Sequence, residues 1–108
     1  METNDRLMNL LGLARKAGKL ELGGEAVKQA VHKRQAKLVL LSADLSENTA
    51  RSVCAEAENS GVRIVTLSEG MDAVQAALGR RAGVIAVIDG GFAKALLKLC
   101  AEDRGVTN

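Results

Sequence analysis

The chain has 108 residues and a net charge of +2, from fifteen Lys and Arg against thirteen Asp and Glu. That length suits one domain, residues 1–108, with a core large enough to need no disulfide or metal staple. With one aromatic residue, Phe92, and no proline, the composition argues against a base-stacking platform of the RRM or OB type, and no apolar run reaches transmembrane length.

Leu7, Leu10, Leu11, Ala14 and Ala17 recur at helical spacing. They predict a first helix over residues 4–17, capped by Thr3 or Asn4 and closed by Gly18. Residues 19–22 are a short strand candidate. Gly23-Gly24 then turns the chain into a second helix running to about Arg34. "KLVLLS", residues 37–42, is a continuous apolar run, as a strand covered on both faces requires. Ser46 is the expected N-cap of a third helix reaching about Asn59 and ended by Gly61. "VRIVTL", residues 62–67, is the next strand. Ser68 is the expected cap of a fourth helix that ends at Gly79. "GVIAVID", residues 83–89, reads as another buried strand. "GG" leads into a fifth helix from Phe92 to about Glu102, and the last residues are expected to fray. Helices and strands alternate almost strictly, which predicts an α/β sandwich: a central sheet with helices on both faces.

Cys54 and Cys100 are the only cysteines and have no metal or redox spacing. Both fall in predicted helices among apolar neighbours and read as buried, inert thiols in a reduced, cytoplasmic chain. No signal peptide is expected near Met1, because Asn9, Arg15 and Lys16 interrupt the apolar residues. Charge is distributed unevenly. Residues 1–37 hold eight Lys or Arg against four Asp or Glu, residues 38–78 two against six, and residues 79–108 five against three. If the two ends of the chain meet, one basic and one acidic face follow. A basic face suits an anionic partner such as nucleic acid, while chance segregation on a solvated surface fits the same counts.

Four places carry candidate chemistry. On the second helix, Val27, Ala30 and Val31 share one face, and Glu25, Lys28, Gln29 and His32 share the opposite one. That polar stripe begins at a helix N-terminus, where free N–H groups favour an anion and glycine permits close approach. An ordinary exposed helix face after a glycine turn fits equally. "GGEAVK" has neither Walker-loop nor dinucleotide spacing. His32, the only histidine, has no partners for a triad or a metal cluster; beside Lys33 and Arg34 it suits a phosphate contact or plain exposure. Arg80-Arg81 sits in a loop before a buried strand, where guanidinium groups suit phosphate or guanine or merely aid solubility. Asp44 and Asp89 follow strand ends, where ligands collect in α/β sheets, but neither has a base, nucleophile or metal partner, which makes a weak case for an enzyme.

Several of these pieces occur in a familiar order. "LLGLARKAGKLELGGEAVKQAV" precedes "AKLVLLSADLSENT", then "GVRIVTL", "AVQAALGRRAGVIAVID" and "GFAKALLKL". This order, over about residues 5–100, resembles the bacterial YlxQ-like branch of the ribosomal L7Ae/L30e superfamily. The resemblance implies a three-layer α/β/α sandwich, about five helices around a mixed sheet of about four strands. It also implies a non-catalytic protein that binds kink-turn RNA and needs no cofactor. In that family the glycine-led turn and the start of the next helix enter the RNA, with a signature close to G-x-N-E-x-x-K. Counted from Gly23, Glu25 takes the Asn position, Ala26 the Glu position and Gln29 the Lys position. Slipped by one residue, Glu25 and Lys28 recover the Glu and the Lys, while Gly24 replaces the Asn and Leu22 the glycine. The loop from Arg80 to Val84 resembles the family's second contact region. Asp44 sits where an Ala-x-Asp segment commonly follows the strand in that family, and Lys19 and Lys37 are expected as basic neighbours of the same edge.

The resulting expectation is a cytoplasmic, monomeric protein that binds structured RNA, ribosomal or otherwise kinked, with no metal, membrane or DNA partner. Its RNA contacts would be Lys19, Gly23, Gly24, Glu25, Lys28, Gln29, His32, Lys37, Asp44, Arg80, Arg81 and Val84. Two rivals stand beside it: a protein-interaction module of the same fold, and a small enzyme using Asp44 or Asp89.

Overall fold

In a computed structural model, the backbone is described for residues 3–103 and side chains for residues 5–102. The elements follow in the order α1 (Thr3–Lys16), β1 (Leu20–Leu22), α2 (Gly24–His32), β2 (Leu38–Leu41), α3 (Glu47–Ser60), β3 (Ile64–Thr66), α4 (Met71–Leu78), β4 (Val84–Val87) and α5 (Gly90–Asp103). The strands form one mixed sheet in the order β1-β4-β2-β3. β4 is antiparallel to both β1 and β2, with Leu22 opposite Ile85 and Leu41 opposite Val84; β2 and β3 run parallel.

The period-two geometry of a strand sends alternate side chains to opposite faces. Leu38, Leu40, Ile85 and Val87 enter one apolar cluster with Leu7 and Leu11 of α1, Val74 and Leu78 of α4, and Leu96 and Leu99 of α5. Val39, Leu41, Val84 and Ala86 enter the other with Val27 and Val31 of α2 and Val53 of α3. Both faces of the central strands β2 and β4 are therefore covered, which explains why their sequences are apolar throughout. This is the three-layer sandwich expected from the alternation and the resemblance.

Most helix ends follow the local signals. The Ser46 hydroxyl accepts from the Thr49 N–H, and Gly18, Gly61 and Gly79 adopt left-handed conformations after α1, α3 and α4. Two starts differ from expectation. Gly70, not Ser68, occupies the N-cap of α4 and offers no side-chain cap. α5 begins at Gly90, two residues earlier than expected, because Asp89 Oδ2 accepts from the Phe92 N–H at 2.9 Å. The strands are shorter than the apolar runs that announce them, since the flanking residues complete turns. The side chains of Thr3 and Asn4, and with them the choice of cap, lie outside the described side chains, and the frayed last residues lie outside the described residues. Cys100 is buried as expected, whereas Cys54 is half-buried at the rim of the second cluster. α1 and α5, from the two ends of the chain, pack together in one layer, and α2 packs against α3 in the other.

Candidate functional site

The strand directions bring the C-terminal ends of β1, β2 and β3 and the N-terminal end of β4 to one edge of the sheet. Backbone hydrogen bonds tie the loops there together. The Gly23 N–H donates to the Val84 carbonyl at 2.9 Å, the Ser42 N–H to the Gly83 carbonyl at 2.9 Å, and the Ala43 N–H to the Glu69 carbonyl at 2.8 Å. The glycine turn, the Asp44 loop and the Arg80-Arg81 loop thus share one edge, though they are far apart in sequence.

The two glycines of the turn have different roles. Gly23 has φ 97° and ψ 155°, a region essentially reserved for glycine. Gly24 has an ordinary φ, and a Cβ there would meet no atom within 4 Å. Gly23 is therefore fixed by the backbone, while Gly24 leaves open space before the helix. The first intrahelical bond is Val27 N–H to the Gly23 carbonyl, and no side chain caps the N-terminus of α2. The N–H groups of the first turn face outward with the positive end of the helix dipole, a natural seat for an anion. Glu25 and Gln29 are exposed and Lys28 is half-buried, one turn beyond Gly24; Val27, Ala30 and Val31 face the core.

Across the edge, Asp44 Oδ1 accepts from the Met71 N–H at 3.0 Å. This bond, more than any other contact, holds the Asp44 carboxyl below its ordinary range. Partial desolvation opposes the effect. The Ser42 hydroxyl, the residue's own amide and the Arg81 charge add to the lowering, although the Ser42 hydroxyl falls short of a well-formed hydrogen bond. Arg81 forms an ion pair with Asp72, which raises its pKa further and keeps it a permanent cation. Half of its side chain remains exposed, and a guanidinium has donors enough for a second partner. Arg80 is exposed beside it.

Four expected contacts are placed elsewhere. The Lys37 N–H donates to the Val87 carbonyl, and the Lys19 carbonyl accepts from the Ile88 N–H. Both lysines therefore sit at the opposite end of the sheet from Gly23, not on its edge, because β1 and β2 both run away from them. His32 ends α2, roughly 12 Å along the helix from Gly24 at 1.5 Å per residue. Val84 is 2% exposed and packs in the second core cluster. It serves the edge through its carbonyl, and its side chain is not available to a ligand.

One signal at this edge has no counterpart in the sequence. The Ser42 hydroxyl and both carboxylate oxygens of Glu69 are shielded from solvent yet lack a hydrogen-bond partner. Both residues lie on loops of the same edge. Buried polar groups left unpaired are uncommon and concentrate where function or strain requires them. No group of three or more His, Cys, Asp or Glu among the described residues could hold a metal ion, and no helix there is long and apolar enough to cross a membrane.

Residues 5–97 match the model of the ribosomal protein L7Ae/L30e/S12e/Gadd45 family. The chain is 35% identical over 89 residues to the RNA-binding protein YlxQ of Enterococcus faecium, covering 82% of this chain and 85% of that one. It is 38% identical over 95 residues to the RNA-binding protein YlxQ of Bacillus subtilis (strain 168), covering 83% and 90%. A solved protein of unknown function from Bacillus halodurans superposes with a TM-score of 0.83 at 30% identity, over 87% of this chain and 95% of its own. A 15.5 kD RNA-binding protein of Giardia lamblia shares the fold, with a TM-score of 0.76 at 16% identity over 99% and 92%.

Proposed function

The chain belongs to the ribosomal protein L7Ae/L30e/S12e/Gadd45 family, and on that footing we propose that it is a non-catalytic, cytoplasmic RNA-binding protein. It docks as a monomer on structured, kink-turn-like RNA, ribosomal or otherwise linked to translation. The observation that carries this reading is the edge itself: an uncapped helix N-terminus after an open glycine, bonded through Gly23 to the loop that presents Arg80 and Arg81. Gly24 lets a sugar-phosphate backbone reach the first N–H groups of α2. Glu25 and Lys28, one turn apart, present a carboxylate and an ammonium to base edges and phosphates. The register slipped by one residue therefore gives the better chemistry, since Ala26 has no polar group to put in the Glu position. Arg80 and Arg81 take phosphates on the other side of the bend.

The chain's lack of aromatics suits recognition of a preformed shape rather than stacking on single-stranded bases. An enzyme built on Asp44 or Asp89 is disfavoured by what those carboxylates do. Each accepts a backbone N–H at the start of a helix, Met71 for one and Phe92 for the other. Crosslinking the protein in cells and sequencing the attached RNA tests the proposal. Structured RNA with sharply bent internal loops, crosslinked to peptides containing residues 23–29 and 80–83, is the expected result. Recovery of no RNA above background would reject it.

A further inference from the structure

A second basic feature lies at the end of the sheet opposite Gly23. An open cleft of about 330 Å³ is lined by Val31 of α2, Arg34 just after it, Lys37 before β2, and Val62 and Arg63 between α3 and β3. Arg34, Lys37 and Arg63 are all exposed, and no carboxylate lines the cleft. The ion pairs found among the described residues engage Arg6, Arg51 and Arg81 instead. Cations near a helix C-terminus partly answer the helix dipole, which accounts for Arg34. It does not account for Lys37 and Arg63, which lie at the starts of strands.

Arg34 is unusual in its backbone as well. The Arg34 N–H donates to the Val31 carbonyl and the Gln35 N–H to the Ala30 carbonyl. These are the two bonds of a Schellman helix end, with Arg34 in the left-handed position that glycine usually fills. Gly18 and Gly61 occupy that place after α1 and α3, while Arg34 has φ 62° and is the one non-glycine residue with positive φ among the described residues. The chain thus places a long cation at a strained position, where glycine would fit without strain, and directs it to a cleft with two further unpaired cations. Strain of this kind is found where a side chain has a task.

We infer that this cleft binds the phosphate backbone of a second RNA segment, the double-helical stem, so that the protein holds RNA at both ends of its sheet. The inference rests on the RNA-binding reading above. Two guanidinium groups and an ammonium lining one cleft suit the phosphates of a nucleic-acid backbone. The walls, Val31, Ala36 and Val62, offer no aromatic surface on which unpaired bases would stack, so a duplex backbone is the occupant they suit.

The test uses the full chain and two RNA probes: a regular duplex without an internal loop, and a kink-turn hairpin with stems trimmed to a few base pairs. Lys37→Glu with Arg63→Glu leaves the strained Arg34 in place. Lys94→Glu with Lys98→Glu, on the exposed side of α5, makes the same charge change elsewhere. The cleft variant is expected to lose at least about tenfold in duplex affinity, and its log K against log salt slope to flatten by about 2, one for each lost phosphate contact. The trimmed hairpin should bind it nearly as well as wild type. Unchanged duplex binding, or an equal loss in the α5 variant, would overturn the inference while leaving the hairpin result to judge the first site. Binding of neither probe by the wild-type chain would overturn both.

Discussion

The Asp44 carboxylate accepts a hydrogen bond from the Met71 backbone N–H at 3.0 Å, across 27 residues of sequence. It supplies the cap that Gly70 cannot, and it locks the loop after β2 to the start of α4 at the candidate RNA edge. A Cβ on Gly70 would come within 2.9 Å of that carboxylate, so the glycine keeps the approach open.

A pH dependence follows. The folded-state pKa of Asp44 is depressed below its ordinary 3.8, chiefly by the Met71 N–H. Its contribution is therefore present above the unfolded-state value and is lost as pH falls through the folded one. Asp44→Asn should lower the melting temperature at pH 7, and the gap from wild type should narrow below about pH 3.8. Melting curves between pH 2.5 and pH 7 measure it; a gap that stays constant over that range contradicts the capping role.

The adjacent glycines should separate stability from binding. Gly23→Ala forces a side chain into a glycine-only conformation and should cost about 1–3 kcal/mol in denaturant unfolding. Gly24→Ala has room for its Cβ and favours the helix, so stability should hold or rise slightly. If RNA approaches the backbone at Gly24, that same variant weakens RNA binding while its unfolding curve stays intact.

Gly83 is fixed by packing rather than by φ. A Cβ there would lie 2.7 Å from Leu45 Cδ1, 3.2 Å from Met71 Sδ and 3.3 Å from Ser42 Oγ. Gly83→Ala should destabilise by about 1–3 kcal/mol through overpacking, measured by urea unfolding.

Arg34→Gly should stabilise the chain by up to about 1 kcal/mol, because relief of left-handed strain outweighs the added freedom of the unfolded chain. Equilibrium unfolding reads the change; a destabilised variant would mean that Arg34 makes contacts worth more than its strain.

Features set by neighbouring residues were legible in the sequence. "KLVLLS" identified the buried strand, Ser46 the third helix start, and Gly18, Gly61 and Gly79 three helix ends, because each signal acts within a few residues. The glycine turn and its polar helix face were legible for the same reason. What escaped depends on strand order and long-range contact. Lys19 and Lys37 were grouped with the Gly23 edge, yet strand direction places them at the other end of the sheet. From its place beside the Arg80-Arg81 loop Val84 reads as a surface contact, yet the pairing of β4 between β1 and β2 buries it. The cap from Asp44 and the unpaired Ser42 and Glu69 oxygens have no local pattern at all. The sequence marks Arg34 as the end of a helix, but an arginine carries no signal for the left-handed backbone found there.

The most direct test of the RNA edge is a filter-binding titration of Lys28→Glu with Arg81→Glu against a kink-turn RNA, with melting curves recorded alongside. Lys28 is half-buried on α2, and Arg81 is exposed across the edge in a surface ion pair, so the fold should survive both changes. The wild-type protein should show a log K against log salt slope of roughly −3 to −5. The double variant should lose binding while melting near the wild-type temperature. Unchanged affinity in a folded double variant would contradict the assignment of this edge.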